Sequence, residues 1–258
     1  MAGSVRTQTD DRGVLWITLA RPERKNAFDA AMISEITTTA RDVDAATRAV
    51  VLASEGDTFC AGADLGWMKS MVDYGLDENI ADSRALADMF AALDELPMPL
   101  VARVQGAALG GGAGLVAVAD VAIASSEATF GFTEVRFGIM PSVVSPYVVR
   151  KIGAGHAGAL FVSGVRFDAS HALAVGLIEA VESPSELDAK VAFYLDAIAA
   201  GAPRAVVAAK KLVRDVAGRP PSEVRDETVR RIAELRVSDE GQEGMRAFLE
   251  RRKARWMK

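Results

Sequence analysis

The sequence is poor in the residues that build disulfides and metal sites. Its 258 residues include one cysteine, Cys60, and two histidines, His156 and His171. A single cysteine excludes an intramolecular disulfide and any metal centre made from several cysteines, and two histidines add little. No serine-nucleophile motif accompanies either histidine. We therefore predict no resident metal ion and no hydrolase triad, and we expect a reducing, cytoplasmic location.

Long apolar runs and an excess of positive charge are also missing. The longest uncharged stretch, between Arg103 and Asp120, is shorter than the roughly 20 apolar residues of a membrane-spanning helix. Residues 1–12 are polar and carry Asp10 and Asp11, unlike a signal or transit peptide. The net charge of −5 provides no general attraction to nucleic acid or to an anionic membrane. We expect neither of them as a partner.

The sequence does contain short β-branched runs that alternate with helical patterns. Half of the residues are hydrophobic and a quarter are charged, as in a globular protein. Strands are predicted at residues 14–19, 49–53, 100–105, 121–124 and 177–181, and helices at 32–43, with Asp29 as N-cap, and at 79–96. After residue 183 only helices are predicted, at 187–200, 203–216, 222–235 and 240–256. This order predicts an α/β core over residues 1–200 and a helical region over 201–258.

Two glycine-containing turns follow predicted strands. Residues 56–65 read GDTFCAGADL, and residues 106–114 read GAALGGGAG before a short helix. Glycine at Gly62 lets the N–H of Ala63 turn towards a pocket, and the first N–H groups of a helix are free to bind a ligand. The Gly-Lys-Ser/Thr ending of a P-loop is missing, and the glycine spacing does not fit the dinucleotide fingerprint Gly-x-Gly-x-x-Gly. Both observations disfavour nucleotide triphosphatases and Rossmann dehydrogenases. Two converging N–H donors suit acyl transfer or enolate formation, whereas glycines that only permit close helix packing would carry no function.

Five ordered motifs resemble the crotonase superfamily, which is named for enoyl-CoA hydratase. They are residues 21–28 (RPERKNAF), 59–65 (FCAGADL), 104–112 (VQGAALGGG), 130–141 (FGFTEVRFGIMP) and 243–252 (EGMRAFLERR). The resemblance spans nearly the whole chain. It implies an α/β spiral of repeated β-β-α units with a C-terminal helical trimerisation region, assembled as a homotrimer or a dimer of trimers. It also implies an acyl-CoA thioester as substrate and no separate cofactor, since coenzyme A is part of the substrate.

The resemblance assigns roles to individual residues. It implies that the N–H groups of Ala63 and Gly111 form an oxyanion hole for the thioester oxygen, and that Glu134 handles protons. The remaining matches are to coenzyme A contacts: Arg24 and Ala27 near the phosphates and adenine, Asp64 and Leu65 as backbone contacts at the adenine end, and Phe248 and Arg251 closing over coenzyme A from a neighbouring subunit.

One family position departs from the enoyl-CoA hydratase pattern. Enoyl-CoA hydratases use two glutamates, and the first of these falls on Gly114, which has no side chain. A single carboxylate can still move a proton between two carbons, or activate water and return a proton. Hydratase and isomerase therefore both stay open, and a catalytically silent acyl-CoA-binding or RNA-binding member is the alternative from another class.

Finer motifs resemble the bacterial 3-methylglutaconyl-CoA and isohexenylglutaconyl-CoA hydratase subgroup. They are residues 66–71 (GWMKSM), 78–82 (ENIAD), 110–116 (GGGAGLV) and 141–149 (PSVVSPYVV). That subgroup also lacks the first glutamate, which favours a hydratase. Its substrates carry a second carboxylate, so a cation is expected near the acyl end, and Lys69, Arg84 and Arg136 are the candidates.

Overall fold

The computed structural model describes residues 3–257 as strands, helices and connecting turns. The strands are β1 (Val5–Thr9), β2 (Val14–Leu19), β3 (Ala49–Ser54), β4 (Leu100–Val104), β5 (Ala107–Leu109), β6 (Val121–Ser125), β7 (Thr129–Gly131), β8 (Arg166–Asp168) and β9 (Ala180–Glu182). The α-helices are α1 (Ala30–Arg41), α2 (Leu65–Met71), α3 (Leu76–Asp94), α4 (Gly111–Val118), α5 (Ser145–Ser163), α6 (Ala169–Ala174), α7 (Leu187–Ala200), α8 (Pro203–Val216), α9 (Pro221–Val237) and α10 (Asp239–Leu249). Two 3-10 turns, Pro22–Arg24 and Glu134–Phe137, complete the regular structure.

The strands form two sheets. The larger has six strands in the order β1-β2-β3-β4-β6-β9, and all neighbours are parallel except the antiparallel pair β1 and β2. The smaller sheet has the order β5-β7-β8, with β5 parallel and β8 antiparallel to β7. The segments that follow β2, β3 and β4 therefore leave the larger sheet at the same edge, where α/β folds commonly bind ligands.

The central strand β3 shows why the sheet is covered on both faces. Val50 and Leu52 belong to the main hydrophobic core, whereas Ala49, Val51 and Ala53 belong to a second cluster. Side chains alternate between the faces of a strand, so an uninterrupted apolar run requires a cover on each side. Helices α1, α3, α4 and α5 contribute to the main core, and α7 covers the other face. The predicted α/β class is confirmed.

The helix predicted at residues 32–43 is present as α1. Its N-cap is the predicted Asp29, whose Oδ1 accepts a hydrogen bond of 2.9 Å from the Met32 N–H. The apolar face contributes Met32, Ile33, Ile36 and Ala40 to the core. Helices α7 and α8 have the predicted bounds, because Gly201 and Pro203 stop one helix and start the next.

Several boundaries differ from the prediction. Strands β1, β5, β7 and β8 were not predicted, because β1 is a polar edge strand and the other three have only three residues each. The short helix that follows the glycine-rich turn, which the sequence predicts at residues 113–119, starts at Gly111. The last strand begins at Ala180 instead of Leu177, and the last helix ends at Leu249 instead of Trp256.

The final part of the chain is helical, with α8, α9 and α10 between Pro203 and Leu249. Helix α8 is tied to the sheet by Lys210, whose Nζ lies 2.7 Å from Asp120 and donates a 2.9 Å bond to the Met98 carbonyl. The division into a core of residues 1–200 and a helical region of 201–258 remains a prediction. Over residues 3–257 no single helix has the length and apolarity to cross a membrane; α7 and α8, bent by 108°, pass that test only as a pair.

Candidate active site

The turn after β3 runs between two other segments of backbone. On one side the Cys60 N–H donates to the Ala107 carbonyl (3.0 Å), and the Cys60 carbonyl accepts from the Leu109 N–H (2.9 Å). On the other side the Phe28 N–H donates to the Gly62 carbonyl, and the Asp64 N–H donates to the Phe28 carbonyl, both at 2.7 Å. The turn that contains Ala63 is therefore fixed by β5 and by the segment that follows β2.

These hydrogen bonds set the direction of the Ala63 N–H. Because Gly62 and Asp64 both bond to Phe28, the N–H of Ala63 points away from Phe28 and towards the β5 side. Gly62 has a φ of 93°, and a Cβ there would lie 3.0 Å from the Leu109 carbonyl oxygen, so only glycine fits. Within residues 3–257 the Ala63 N–H has no hydrogen-bond acceptor. It is therefore a free donor, and its role in an oxyanion hole stays a prediction.

The second donor lies at the start of α4. Gly110, the N-cap, has φ 54° and ψ −121°, a conformation that residues with a side chain avoid, and its N–H donates to the Gly131 carbonyl at 2.8 Å. Gly111 is the first helical residue, so its N–H has no acceptor within the helix. No other acceptor for it exists in the described part of the chain. A Cβ on Gly111 would lie 2.8 Å from Phe28 Cε2, which explains the glycine.

Glu134 lies beside this helix start. It follows β7 as the first residue of the 3-10 turn, and its Oε1 is 3.1 Å from the point where a Cβ on Gly110 would be. Its Oε2 is buried and has no hydrogen-bond partner among residues 3–257. Burial penalises the ionised form and raises the pKa of Glu134 above that of an exposed glutamate, and its own backbone N–H opposes this only partly. A carboxyl group with a raised pKa is suited to exchanging protons.

Gly114 lies in the first turns of α4 and is enclosed by side chains. A Cβ on Gly114 would overlap Val144 Cγ1 and would lie 3.0 Å from both Val144 Cβ and Phe90 Cζ. The place of the first family glutamate is therefore filled by apolar atoms of α3 and of the residue before α5. Val144 and Phe90 were not recognised from the sequence, because their contact with Gly114 depends on tertiary packing.

The turn between β2 and α1 contains the predicted coenzyme A residues Arg24 and Ala27. Arg24 is exposed at the end of the first 3-10 turn, and Ala27 is buried. The turn is held by Asn26, which sequence reasoning did not single out. Its Oδ1 accepts from the Arg21 N–H (2.9 Å), and its Nδ2 donates to the carbonyls of Glu55 and Thr58, both at 2.8 Å.

Asp64 and Leu65 mark the start of α2. The Asp64 Oδ1 accepts from the N–H groups of Gly66 (2.7 Å) and Trp67 (3.2 Å), so its side chain is the N-cap. Leu65 is 81% exposed. The structure thus places both residues next to Ala63, with an apolar side chain open to a ligand.

Phe248 and Arg251 lie at the other end of the chain. Phe248 is 83% exposed near the end of α10, and Arg251 follows the helix with a φ of 54°. Helix α10 packs against α9, and no hydrogen bond of the described residues joins Arg251 to Glu134, Ala63 or Gly111. These two predicted residues do not join the other site residues through such contacts within one chain.

The three candidate cations are exposed and make no ion pair within residues 3–257. Lys69 lies in the last turn of α2, and Arg136 packs its side chain against Gly164. Arg84 lies in an open surface depression of about 460 Å³ along α3, with side chains of Leu76, Asn79, Ile80, Ser83 and Ala87. In the described residues, no three His, Cys, Asp or Glu side chains are grouped so that they could hold a metal ion.

An α/β fold with a pair of free backbone donors and a half-buried carboxyl group has the groups that a site needs in order to polarise a carbonyl and move a proton. Residues 9–258 match the enoyl-CoA hydratase/isomerase family, and the chain belongs to that family.

Individual relatives are similar to this chain over most or all of their length. A crystal structure from Legionella pneumophila, assigned to the enoyl-CoA hydratase/isomerase (crotonase) group, is 39% identical with a TM-score of 0.94, covering 99% of this chain and 100% of that one. Pseudomonas aeruginosa AtuE is 36% identical with a TM-score of 0.93, at 99% and 100% coverage. Enoyl-CoA hydratase AKT6-1 of Alternaria alternata is 30% identical over 250 residues, which cover 95% of this chain and 81% of that protein.

Proposed function

We propose that the protein is an acyl-CoA hydratase that adds water across the double bond of an enoyl-CoA thioester. The observation that carries the proposal is the carboxyl group of Glu134, which lies beside Gly110 at the start of α4 and whose buried Oε2 has no hydrogen-bond partner among residues 3–257. The N–H of Gly111, the next residue of α4, is free in the described part of the chain. Burial of an ionisable group without a partner is costly to folding, and such groups occur where their chemistry is used. The free N–H of Ala63 supplies the second donor.

The reaction follows from the charges that it creates. The thioester oxygen accepts hydrogen bonds from Ala63 and Gly111, which stabilises the negative charge as the carbonyl becomes an enolate. Glu134 takes a proton from water while the water oxygen bonds to C3, and then delivers that proton to C2 of the enolate. One carboxylate thus accepts and returns a single proton, and no second acid is needed.

Coenzyme A arrives as part of the substrate, so the proposal includes no resident cofactor. Arg24 and Ala27 would lie near its phosphates and adenine, and the backbone of Asp64 and Leu65 at the adenine end. The exposure of Phe248 supports a contact with coenzyme A bound to a neighbouring subunit, in a homotrimer or a dimer of trimers. A cytoplasmic location completes the proposal.

The substrate that we propose resembles 3-methylglutaconyl-CoA, which carries a second carboxylate. The closed space at Gly114 supports membership of a subgroup without the first glutamate. One of the exposed cations Lys69, Arg84 and Arg136 would pair with the distal carboxylate; Arg84 has apolar side chains of α3 beside it.

One observation favours a second candidate, an enoyl-CoA isomerase. Val144 and Phe90 occupy the place of the first family glutamate, so Glu134 is the one glutamate of the family pair that remains. A double-bond shift requires only one proton-handling group. The reaction would pass through the same enolate. The alternative from another class is a catalytically silent acyl-CoA-binding or RNA-binding protein, in which Glu134 would have no catalytic role.

Product mass separates these functions. We expect the purified protein to add one water to an enoyl-CoA in a panel of crotonyl-CoA, 3-methylglutaconyl-CoA and a 3-enoyl-CoA, with the branched dicarboxylate turned over best. A rearranged product of unchanged mass would establish the isomerase instead. Silence on all three thioesters together with salt-sensitive RNA retention would contradict both enzymatic functions.

The raised pKa of Glu134 predicts the pH dependence of the reaction. Glu134 acts first as a base, so kcat/KM falls when the pH drops through its pKa and the carboxylate becomes protonated. Because burial raises this pKa, the acid limb of the profile lies at higher pH than an exposed glutamate would give. A profile of kcat/KM against pH measures this, and an acid limb at the ordinary glutamate value would contradict the role of Glu134.

A further inference from the structure

The guanidinium of Arg21 lies between two carboxylates at the edge of the site. Its Nη1 pairs with Asp29 Oδ2, and its Nη2 lies 3.5 Å from Asp64 Oδ2. Nη1 also lies 3.5 Å from the carbonyl of Ala27, and the side chain is only 17% exposed. A nearly buried arginine that contacts two acids and a carbonyl is held in one position.

Each of these carboxylates already caps a helix. Asp29 uses Oδ1 for the Met32 N–H at the start of α1, and Asp64 uses Oδ1 for the Gly66 N–H at the start of α2. The second oxygen of each acid is directed at Arg21. Arg21 therefore joins the first turns of two helices.

Arg21 contacts the Asp64 side chain, and the backbone of Asp64 is next to Ala63, whose N–H is the predicted oxyanion donor. Ala63 directly precedes Asp64, and the Asp64 N–H donates to Phe28, which in turn sets the direction of the Ala63 N–H. A shift of the Asp64 side chain would tilt this peptide and move the donor. A displacement of about 1 Å at a catalytic group costs about a hundredfold in rate.

Arg21 also supplies charge. An uncompensated carboxylate at Asp64 would raise the energy of the negative charge that develops on the thioester oxygen next to Ala63. The guanidinium neutralises that carboxylate where the site is partly shielded from water.

We propose that Arg21 is a positioning residue that keeps the Ala63 N–H directed at the thioester oxygen and screens that oxygen from Asp64. The inference rests on the proposed oxyanion-hole function. Arg21 is not one of the reacting groups. Its role is in the transition state, so a measurement of substrate binding alone would not reveal it.

Kinetics of two variants test this role against a purely structural one. We expect Arg21→Met to lower kcat about ten- to a hundredfold with KM changed less than about threefold. Arg21→Lys, which keeps the charge but loses the planar fork, should recover part of the loss. The matched control is Arg12→Met, because Arg12 also pairs with two aspartates, Asp10 and Asp196, but at the opposite end of β2. Equal kinetic losses in the Arg12 and Arg21 variants would overturn the inference.

Carbonyl polarisation provides the second readout. The infrared stretch of a ¹³C-labelled enoyl-CoA carbonyl is measured when it is bound to Glu134→Gln, which binds without turnover. We expect a shift to lower frequency, and a smaller shift when Arg21→Met is added. If the double variant showed the same shift as Glu134→Gln, the role of Arg21 would be wrong and the oxyanion hole would stand. No shift in Glu134→Gln itself would overturn the oxyanion hole and the inference with it. Circular dichroism checks that each variant is folded. If Arg21→Met is not folded, both measurements are made with Arg21→Lys instead.

Discussion

Replacing Glu134 by glutamine should nearly abolish turnover while coenzyme A thioesters still bind. Glutamine keeps the size of the side chain but cannot accept and return a proton, and general acid–base groups contribute about a hundred- to ten-thousandfold in rate. We expect kcat to fall by about a thousandfold, with the dissociation constant of a saturated acyl-CoA unchanged within about threefold. Steady-state turnover and calorimetric titration measure the two quantities.

The exposed Glu127 provides the control. It lies in the turn before β7, and its side chain makes no ion pair in the described part of the chain. Glu127→Gln should retain normal kcat and KM. If Glu134→Gln also kept near-normal turnover, the assignment of the acid–base residue would be wrong.

Glu134→Gln should be more stable than the wild type at neutral pH. The pKa of Glu134 is raised in the folded state, so the proton on its carboxyl group favours folding. This stabilisation is complete at pH values below the pKa of Glu134 in the unfolded chain. It is lost as the pH rises through the pKa of Glu134 in the folded protein. Glutamine does not titrate, so the stability advantage of Glu134→Gln should grow with pH across this window in thermal unfolding.

Introducing the missing family glutamate at Gly114 should destabilise the fold and leave hydration no faster. A Cβ there overlaps Val144, and a carboxylate would be buried against Phe90. Overpacking and burial of an unpaired polar group together should lower the free energy of unfolding by about 3 kcal/mol. Denaturant unfolding and enoyl-CoA turnover of Gly114→Glu check this expectation.

Gly158 in α5 offers a matched position. A Cβ on Gly158 would meet nothing within 4 Å, and this residue is exposed in a helix. Gly158→Glu should therefore be neutral or stabilise the protein by roughly 0.5 to 1 kcal/mol, since glutamate favours helices over glycine. If Gly114→Glu were as stable as Gly158→Glu and hydrated enoyl-CoA faster than the wild type, the site would have room for a second carboxylate.

The fold was predictable where local signals coincide with long elements. Helices α7 and α8 have the bounds that their patterns and Pro203 indicate, and Asp29 caps α1 as expected. Strands β5, β7 and β8 were missed because three residues are too few to show a period of two. They become strands through the backbone bonds of the smaller sheet.

The site was predictable to the extent that its backbone conformations require glycine. Gly62 and the glycines at the start of α4 indicated the two free N–H groups, and the motif around Glu134 indicated the carboxyl group that we propose as the acid–base group. Arg21 and Asn26 were missed because a polar turn gives no sign of which side chains become buried. Their partners, such as Asp64 and Thr58, are distant in sequence and are brought together by the fold.

The central claim is that two backbone donors and Glu134 together form and protonate an enolate. The most direct measurement is the exchange of solvent deuterium into C2 of a saturated acyl-CoA, such as butyryl-CoA, followed by mass spectrometry in deuterium oxide. The account predicts that the wild type incorporates deuterium at C2 and that Glu134→Gln does not, whether the natural reaction is hydration or isomerisation. No exchange by the wild type, or equal exchange by both proteins, would contradict it.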